Sequence, residues 1–268
     1  MKGRTAYLIM AVLALVCFGM ILSVVYPFST IESQSRAPSE ERFSVADAET
    51  FSHEVAYMID GDIEIAHEVV TIEGGATHFV TKSSNGRSER FQAAPDKPKY
   101  FLNEISDEET LEYVRESIQD DTNMTLLAES TDGEYTTLYV RDDDPSFEIS
   151  SDTVSGNLLY VEKIAYEQTE ESAEHRIYEP QNGWYRFYEH VRITDASGEV
   201  RVDPDTDSVQ SANVSWDQTS PAETYAHYAV ARLLGGTERH AVTFEYEPGE
   251  ATVETPDWVE AVRDGHEP

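Results

Sequence analysis

Cysteine occurs once, at Cys17, so no intramolecular disulfide can staple this chain and no thiolate cluster can hold zinc. Lysine is nearly as scarce: Lys2, Lys82, Lys97, Lys99 and Lys163 are the whole supply. Without a basic stripe to displace the counterions around phosphates, nucleic acid is not an expected partner. Catalytic motifs are missing too. The sequence has no G-x-S-x-G elbow, no phosphate-cradling G-x-x-x-x-G-K, no G-x-G-x-x-G and no H-E-x-x-H. A hydrolase or nucleotide-binding reading loses its usual support, and no cofactor is expected.

What the chain has in excess is acid. Its 268 residues hold 52 Asp plus Glu against 19 Lys plus Arg, a formal charge of -33, yet 40% are hydrophobic, enough for a folded body. So much like charge would push a compact state apart in dilute buffer. At roughly 1 M salt the screening length falls to about 3 Å and the repulsion largely vanishes. This acid-rich, lysine-poor composition resembles that of proteins from extreme halophiles.

One long hydrophobic run exists. Ala6 to Tyr26 (AYLIMAVLALVCFGMILSVVY) carries no charge over 21 residues. As a helix it would extend about 31 Å, matching a hydrocarbon core of about 30 Å. Lys2 and Arg4 precede it and the next charge is Glu32, so residues 1–5 are expected in the cytoplasm and the body outside. A cleavable signal peptide would usually have a shorter apolar region and an A-x-A site, so a retained signal-anchor over 6–28 is the expectation. Cys17, preceded by Val16 rather than a small residue, fits a position inside the bilayer better than a lipoprotein site.

Residues 29–48 (STIESQSRAPSEERFSVADA) read as a flexible tether, spanning about 25 Å root-mean-square. Beyond it, β-branched and aromatic runs alternate with the turn signals Asp60-Gly61, Gly74-Gly75, Asn85-Gly86, Asp132-Gly133, Asn182-Gly183, Ser197-Gly198 and Pro248-Gly249. That pattern predicts an α+β body with antiparallel strands. Two capping boxes, Ser106-Asp-Glu-Glu109 and Ser220-Pro-Ala-Glu223, predict helices at about 106–120 and 220–235. The second should press Ala222, Tyr225, Ala226, Ala229, Val230 and Leu233 onto a sheet. Ser106 matches Ser220, His67 matches His175, and Thr81 to Gly86 matches Thr194 to Gly198. These pairs predict two similar repeats, 49–144 and 159–255, joined by a linker over 145–158, each with one helix and a closing hairpin (LLAESTDGEYTTLYV and AVTFEYEPGEATVET). Residues 256–268 should form a short helix and tail. The ending FEYEPGEATVETPDWV resembles membrane-anchored or secreted proteins of halophilic archaea, which implies kinship of fold and no catalytic role.

Candidate sites are few. Asn123-Met-Thr and Asn213-Val-Ser are glycosylation sequons in the part expected outside. Asp203-Pro-Asp205-Thr-Asp207 alternates acids like a calcium loop, but Ser208 stands where glycine is needed and Val214 where glutamate is needed, so no metal is expected beyond a loose surface calcium site. The richest stretch is Asn182 to Thr194, NGWYRFYEHVRIT. Alternation puts Tyr185, Phe187, Glu189, Val191 and Ile193 on one side, and Trp184, Arg186, Tyr188, His190 and Arg192 on the other. The second set is either paired with glutamates of its own sheet or a recognition face of the Trp, Tyr and Arg type that anchors partners. His175 or Arg176, with Tyr178 and Arg201, are expected to extend it.

These residues together predict a single-pass, extracytoplasmic binding or assembly protein of a halophile, working on a protein or a cell-surface glycan and not catalytic. A carrier whose curved sheet cups a lipid or other apolar ligand beneath its helices is the second expectation, and an unrecognised hydrolase the third.

Overall fold

The computed structural model describes residues 10–19, 21, 43–144, 151–186, 190–222, 224–249 and 251–265. Residues 10–19 form a helix, α1, inside the predicted span; most of 6–28 lies outside the described residues. Among the described residues no helix is long and apolar enough to cross a membrane.

The body is α+β and built on one antiparallel sheet of thirteen strands. In chain order the elements are β1 (Phe51–Ile59), β2 (Asp62–Thr71), β3 (Thr77–Ser83), β4 (Gly86–Gln92), β5 (Lys99–Ile105), α2 (Glu108–Asp120), β6 (Met124–Asp132) and β7 (Tyr135–Asp142). Then come α3 (Ser151–Val161), β8 (Tyr166–Glu171), β9 (Arg176–Pro180), β10 (Gly183–Arg186), β11 (His190–Asp203), β12 (Ser208–Ala222), α4 (Tyr225–Leu233), β13 (Thr237–Pro248) and α5 (Asp257–Arg263). Across the sheet the order is β6-β7-β5-β4-β3-β2-β1-β13-β12-β11-β9-β8, with β10 paired to β11. The first and last strands of the body therefore meet at its centre, with Val55 opposite Phe244.

Four of the predicted turns close hairpins: Asp60-Gly61, Gly74-Gly75, Asn85-Gly86 and Asp132-Gly133. Ser197-Gly198 does something else. It lies inside β11, where the register against β12 shifts between Thr194 and Ser197. Gly198 has a φ of +106°, and a Cβ there would collide with the Asn213 carbonyl oxygen, so the glycine marks a bulge and close strand approach. Asn182-Gly183 separates β9 from β10, both of which pair with β11. Pro248-Gly249 ends β13 without a hairpin, because β1 and β12 already occupy both edges of that strand. The two stretches expected as matching closing hairpins thus differ: β6 and β7 pair, while β13 has no partner after it. Other matched pairs also fall in unlike elements. His67 lies in the middle of β2, whereas His175 precedes β9.

The residues expected as an inter-repeat linker carry α3 instead. Val154, Leu158 and Val161 recur at i, i+4 and i+7 and are buried with exposures of 0, 2 and 0%. They fill the main core beneath β1, β12 and β13, against Phe51, Val55, Val214, Trp216 and Phe244. His53 fixes the docking: its Nδ1 donates to the Glu245 carbonyl (2.8 Å) and its Nε2 accepts from Asn157 Nδ2 (3.0 Å). Burial drives the His53 pKa down to about 4, so the ring is neutral and its tautomer set.

On the other side of the sheet's centre, β5 and β7 are covered on both faces. Alternation sends Ile105, Leu138 and Val140 toward Ile118 of α2, and Leu102 and Tyr139 toward Val262 of α5. Charge is buried here as well. Lys99 Nζ lies 2.9 Å from Asp142 Oδ2 with both side chains under a tenth exposed. Glu89 accepts from Trp258 Nε1 (2.7 Å), is bonded to His78 Nε2 (2.9 Å) and pairs with Arg87. Burial raises the Glu89 pKa, but those three partners outweigh it and hold the group below its usual value.

Both predicted helix starts shift. Asp107, not Ser106, caps α2, its carboxylate accepting from the Thr110 amide (2.7 Å). Thr224 caps α4, because β12 keeps pairing up to Ala222 against His190 and overrides the serine signal at 220. The expected apolar face of α4 is corrected too: Ala222 belongs to β12, Ala229 is exposed, Val230 and Leu233 are exposed by 46 and 83%, as is the cap residue Leu234 by 81%, and the side chains of Tyr225 and Ala226 lie outside the described residues.

The last six tether residues are part of the body. Phe43 packs edge-on against Tyr166 and Tyr178, with centroids 5.3 and 5.6 Å apart. Ser44 bridges to Ser208, and the Ala46 carbonyl accepts from the Tyr246 hydroxyl (2.7 Å). Only 29–42 remain for the expected flexible link, and they lie outside the described residues.

Candidate functional site

The predicted recognition strand resolves into the hairpin β10–β11. Tyr185, Val191 and Ile193 face the core, exposed by 0, 3 and 0%. On the opposite face Trp184 stands across from Arg192, whose guanidinium carbon is 5.5 Å from the Trp184 ring centroid. Trp184 meets Tyr228 of α4 edge-on at 5.0 Å and 65°, and Arg232 Nη1 donates to the Tyr228 hydroxyl (3.0 Å). A row Arg192, Trp184, Tyr228, Arg232 results, two rings in contact with a cation at each end. Phe187, Tyr188 and Glu189, and the side chains of Arg186 and His190, lie outside the described residues.

The expected extensions do not join this row. Tyr178 points into the core, Arg176 pairs with Asp207, and Arg201 pairs with Glu199 (2.6 Å). The alternating acids of the possible calcium loop have partners of their own. Asp203 Oδ1 accepts from the amides of Asp205 (2.8 Å) and Thr206 (3.0 Å), which holds its carboxyl below the ordinary range, and Asp207 is engaged by Arg176. These acids build the β11–β12 turn. Among the described residues no group of three or more His, Cys, Asp or Glu is placed to hold a metal ion.

Sequence reasoning missed a buried cluster of perturbed groups around Tyr57 and His240. Tyr57 donates its hydroxyl to His240 Nδ1 (2.7 Å) and stacks on both His240 and Tyr160. Lys163 Nζ sits 4.0 Å from the Tyr57 ring centroid. Trp216, opposite His240 on the neighbouring strand β12, stacks on the imidazole with centroids 5.4 Å apart and planes 5° from parallel. With Nδ1 accepting, His240 carries its proton on Nε2, which lies 3.6 Å from a Glu238 carboxylate oxygen. That gap is beyond hydrogen-bond reach, so the buried Nε2 has no hydrogen-bond partner among the described residues.

The electrostatics oppose proton transfer. Burial, then the Lys163 charge, lowers the His240 pKa to about 4, while burial, then Glu238, raises Tyr57 to about 12. Both shifts favour the neutral phenol and the neutral imidazole. The pair rests as a neutral hydrogen bond across adjacent strands and behaves as a structural clamp. No local signal could have revealed it, since its two residues are 183 positions apart.

The two sequons differ in setting. Asn123 is exposed in the turn after α2, and Asn213 lies exposed in the middle of β12, opposite Glu199 on one side and Thr243 on the other. Two cavities of about 530 Å³ have mixed linings: one lies between α2 and β3–β5, lined by Thr81, Ser88, Asn103, Ile105, Asp107 and Val114; the other lies near Asp203, Val209, Gln210, Glu245 and Tyr246. Between α3 and the sheet, Val154, Leu158 and Val161 share one buried cluster with Phe51, Val55, Val214, Trp216 and Phe244.

The chain matches no protein-family model, no curated protein and no solved structure.

Proposed function

We propose that this is a single-pass, membrane-anchored protein of a halophile whose body stands outside the cell and binds or assembles with a surface component, without catalysis. The observation that carries the reading is the uncharged run from Ala6 to Tyr26 behind Lys2 and Arg4, in a chain of charge -33. The body joins its link at Phe43, so 29–42 set the stand-off, about 20 Å root-mean-square if flexible. The two repeats foreseen in the sequence, if related by descent, have diverged in strand pairing.

The partner-facing surface in this reading is the row Arg192, Trp184, Tyr228 and Arg232, with Val230, Leu233 and Leu234 exposed on the same helix. Cations and rings gathered in so acidic a chain suit a partner bearing carboxylates and apolar surface, a protein or an acidic glycan.

In-cell cross-linking at native salt tests the reading, comparing the natural chain with Arg192→Gln and Trp184→Ala. Arg192→Gln keeps the packing of α4, so loss of the cross-linked species in that variant supports the face. Unchanged cross-linking in both variants contradicts it.

A further inference from the structure

We propose that Asn123 is an N-glycosylation acceptor and that Asn213 is not. The inference rests on the external placement argued above, and it separates two sequons that the sequence alone leaves equivalent.

Both triplets have the required Asn-x-Ser/Thr form. To be modified, a sequon must leave its local structure far enough to enter a transferase site with asparagine and hydroxyl residue both presented. Asn123 is held lightly. It sits between the end of α2 and the first residue of β6, with its amide donating to Asp121 Oδ1 (2.9 Å) and its carbonyl accepting from the Asp143 amide (3.0 Å). Asn123 and Thr125 are both exposed. The strand that follows is an edge strand: β6 is hydrogen-bonded to β7 and stands at the end of the sheet order. Lifting its first residues breaks pairing on one side only, and the register is already interrupted by a bulge between Leu126 and Ala128.

Asn213 is held from both sides. Its strand is hydrogen-bonded to β11 and to β13, and its carbonyl oxygen is packed against Gly198 so closely that no side chain fits there. Its neighbours Ala212 and Val214 are core residues, exposed by 3 and 1%. Presenting Asn213 would take apart the centre of the sheet.

The chemistry needs a lipid-phosphate-linked oligosaccharide as co-reactant. Asn123 Nδ2 attacks the anomeric carbon, an N–C bond forms, and the bond from that carbon to the phosphate oxygen breaks. The lipid phosphate leaves and takes up the proton lost by the amide, with no oxidation or reduction.

A glycan at this position also has a physical consequence. The two edges of the sheet are guarded differently. β8 carries Glu167, Glu170 and Glu171, all exposed, whereas Met124 to Ala128 at the head of β6 is uncharged, with Leu126 exposed by 41%. An oligosaccharide on Asn123 stands over that stretch and hinders edge-to-edge pairing with another chain.

The test uses the full chain purified from membranes of a halophilic host, with tryptic and acidic-cleaving digests read by mass spectrometry. The expected result is a glycan mass on the Asn123 peptide, with occupancy at Asn213 at least tenfold lower. Thr125→Ala should remove the added mass and Thr125→Ser should keep it, a split that a structural effect of the threonine would not produce. An unmodified Asn123, or equal occupancy at both sites, overturns the proposal. Protease added to intact cells is run alongside: an unmodified Asn123 on a body that protease removes refutes the acceptor assignment alone. On a body that protease cannot reach, the same result takes the external placement down with it.

Discussion

The two halves of the sheet solve burial in different ways. Around β1, β13 and β12 a single apolar cluster runs under α3, with Phe51, Trp216, Val242 and Phe244 fully buried. Around β4, β5 and β7 the sheet is covered on both faces by short helices, the apolar clusters are small, and charge is buried with them: Lys99 with Asp142, and Glu89 with three donors. The chain spends its large side chains once, at the centre. Where the supply thins, buried ions are tolerated because each has an opposite charge beside it.

The comparison breaks most visibly if each half loses its own kind of support. Phe244→Ala should cost about 3–5 kcal/mol, read from urea midpoints at multimolar salt, because the cavity under α3 cannot collapse between three strands. Lys99→Ala should cost a similar ~3–5 kcal/mol by stranding Asp142, yet replacing both partners by apolar residues (Lys99→Met with Asp142→Leu) should restore most of it. No such paired rescue is expected at Phe244. If Lys99→Ala is harmless, the outer half does not depend on its ion pair.

Acid should separate the halves. The His53 and His240 pKa values of about 4 are below the unfolded value near 6.5, so the unfolded chain binds more protons between those limits. Stability from the central half is therefore lost as pH falls from about 6.5 to about 4, on the order of 2–3 kcal/mol per histidine. Glu89 is depressed as well, so its contribution is present above its unfolded pKa and lost only as pH falls through its lower folded value. A pH titration of the unfolding midpoint should show the histidine loss first, and His53→Gln should flatten it. The smallest effect expected is Asn157→Ala, about 1–2 kcal/mol, because His53 Nε2 loses its donor while Nδ1 keeps the Glu245 carbonyl.

Much of this architecture was legible where local chemistry decides it. Asp60-Gly61 closes a hairpin because both residues take positive φ, 52° and 91°, which few residue pairs do as readily. Alternation placed Tyr185, Val191 and Ile193 in the core correctly. Where the strand has neighbours on both edges, the same signals misled: Ser197-Gly198 became a bulge, and the turn after Pro248 closed nothing. Helix α3 was misread because Ser151, Ser155, Gly156 and Asn157 look like linker, although Val154, Leu158 and Val161 carried helical spacing. The site was less legible than the fold. Trp184 and Arg192 share a face as alternation required, but their contact with Tyr228 and the pairing of Tyr57 with His240 depend on long-range register that no single segment encodes.

The claim on which the functional reading stands is the external position of the body, and one labelling measurement addresses it directly. Glu134 is exposed at the β6–β7 turn, and Cys17 is the natural chain's single thiol. In a Cys17→Ser background, Glu134→Cys should react with a membrane-impermeant maleimide on intact cells at native salt, to the same extent as after lysis. Labelling that appears only after lysis would place the body inside and contradict the account.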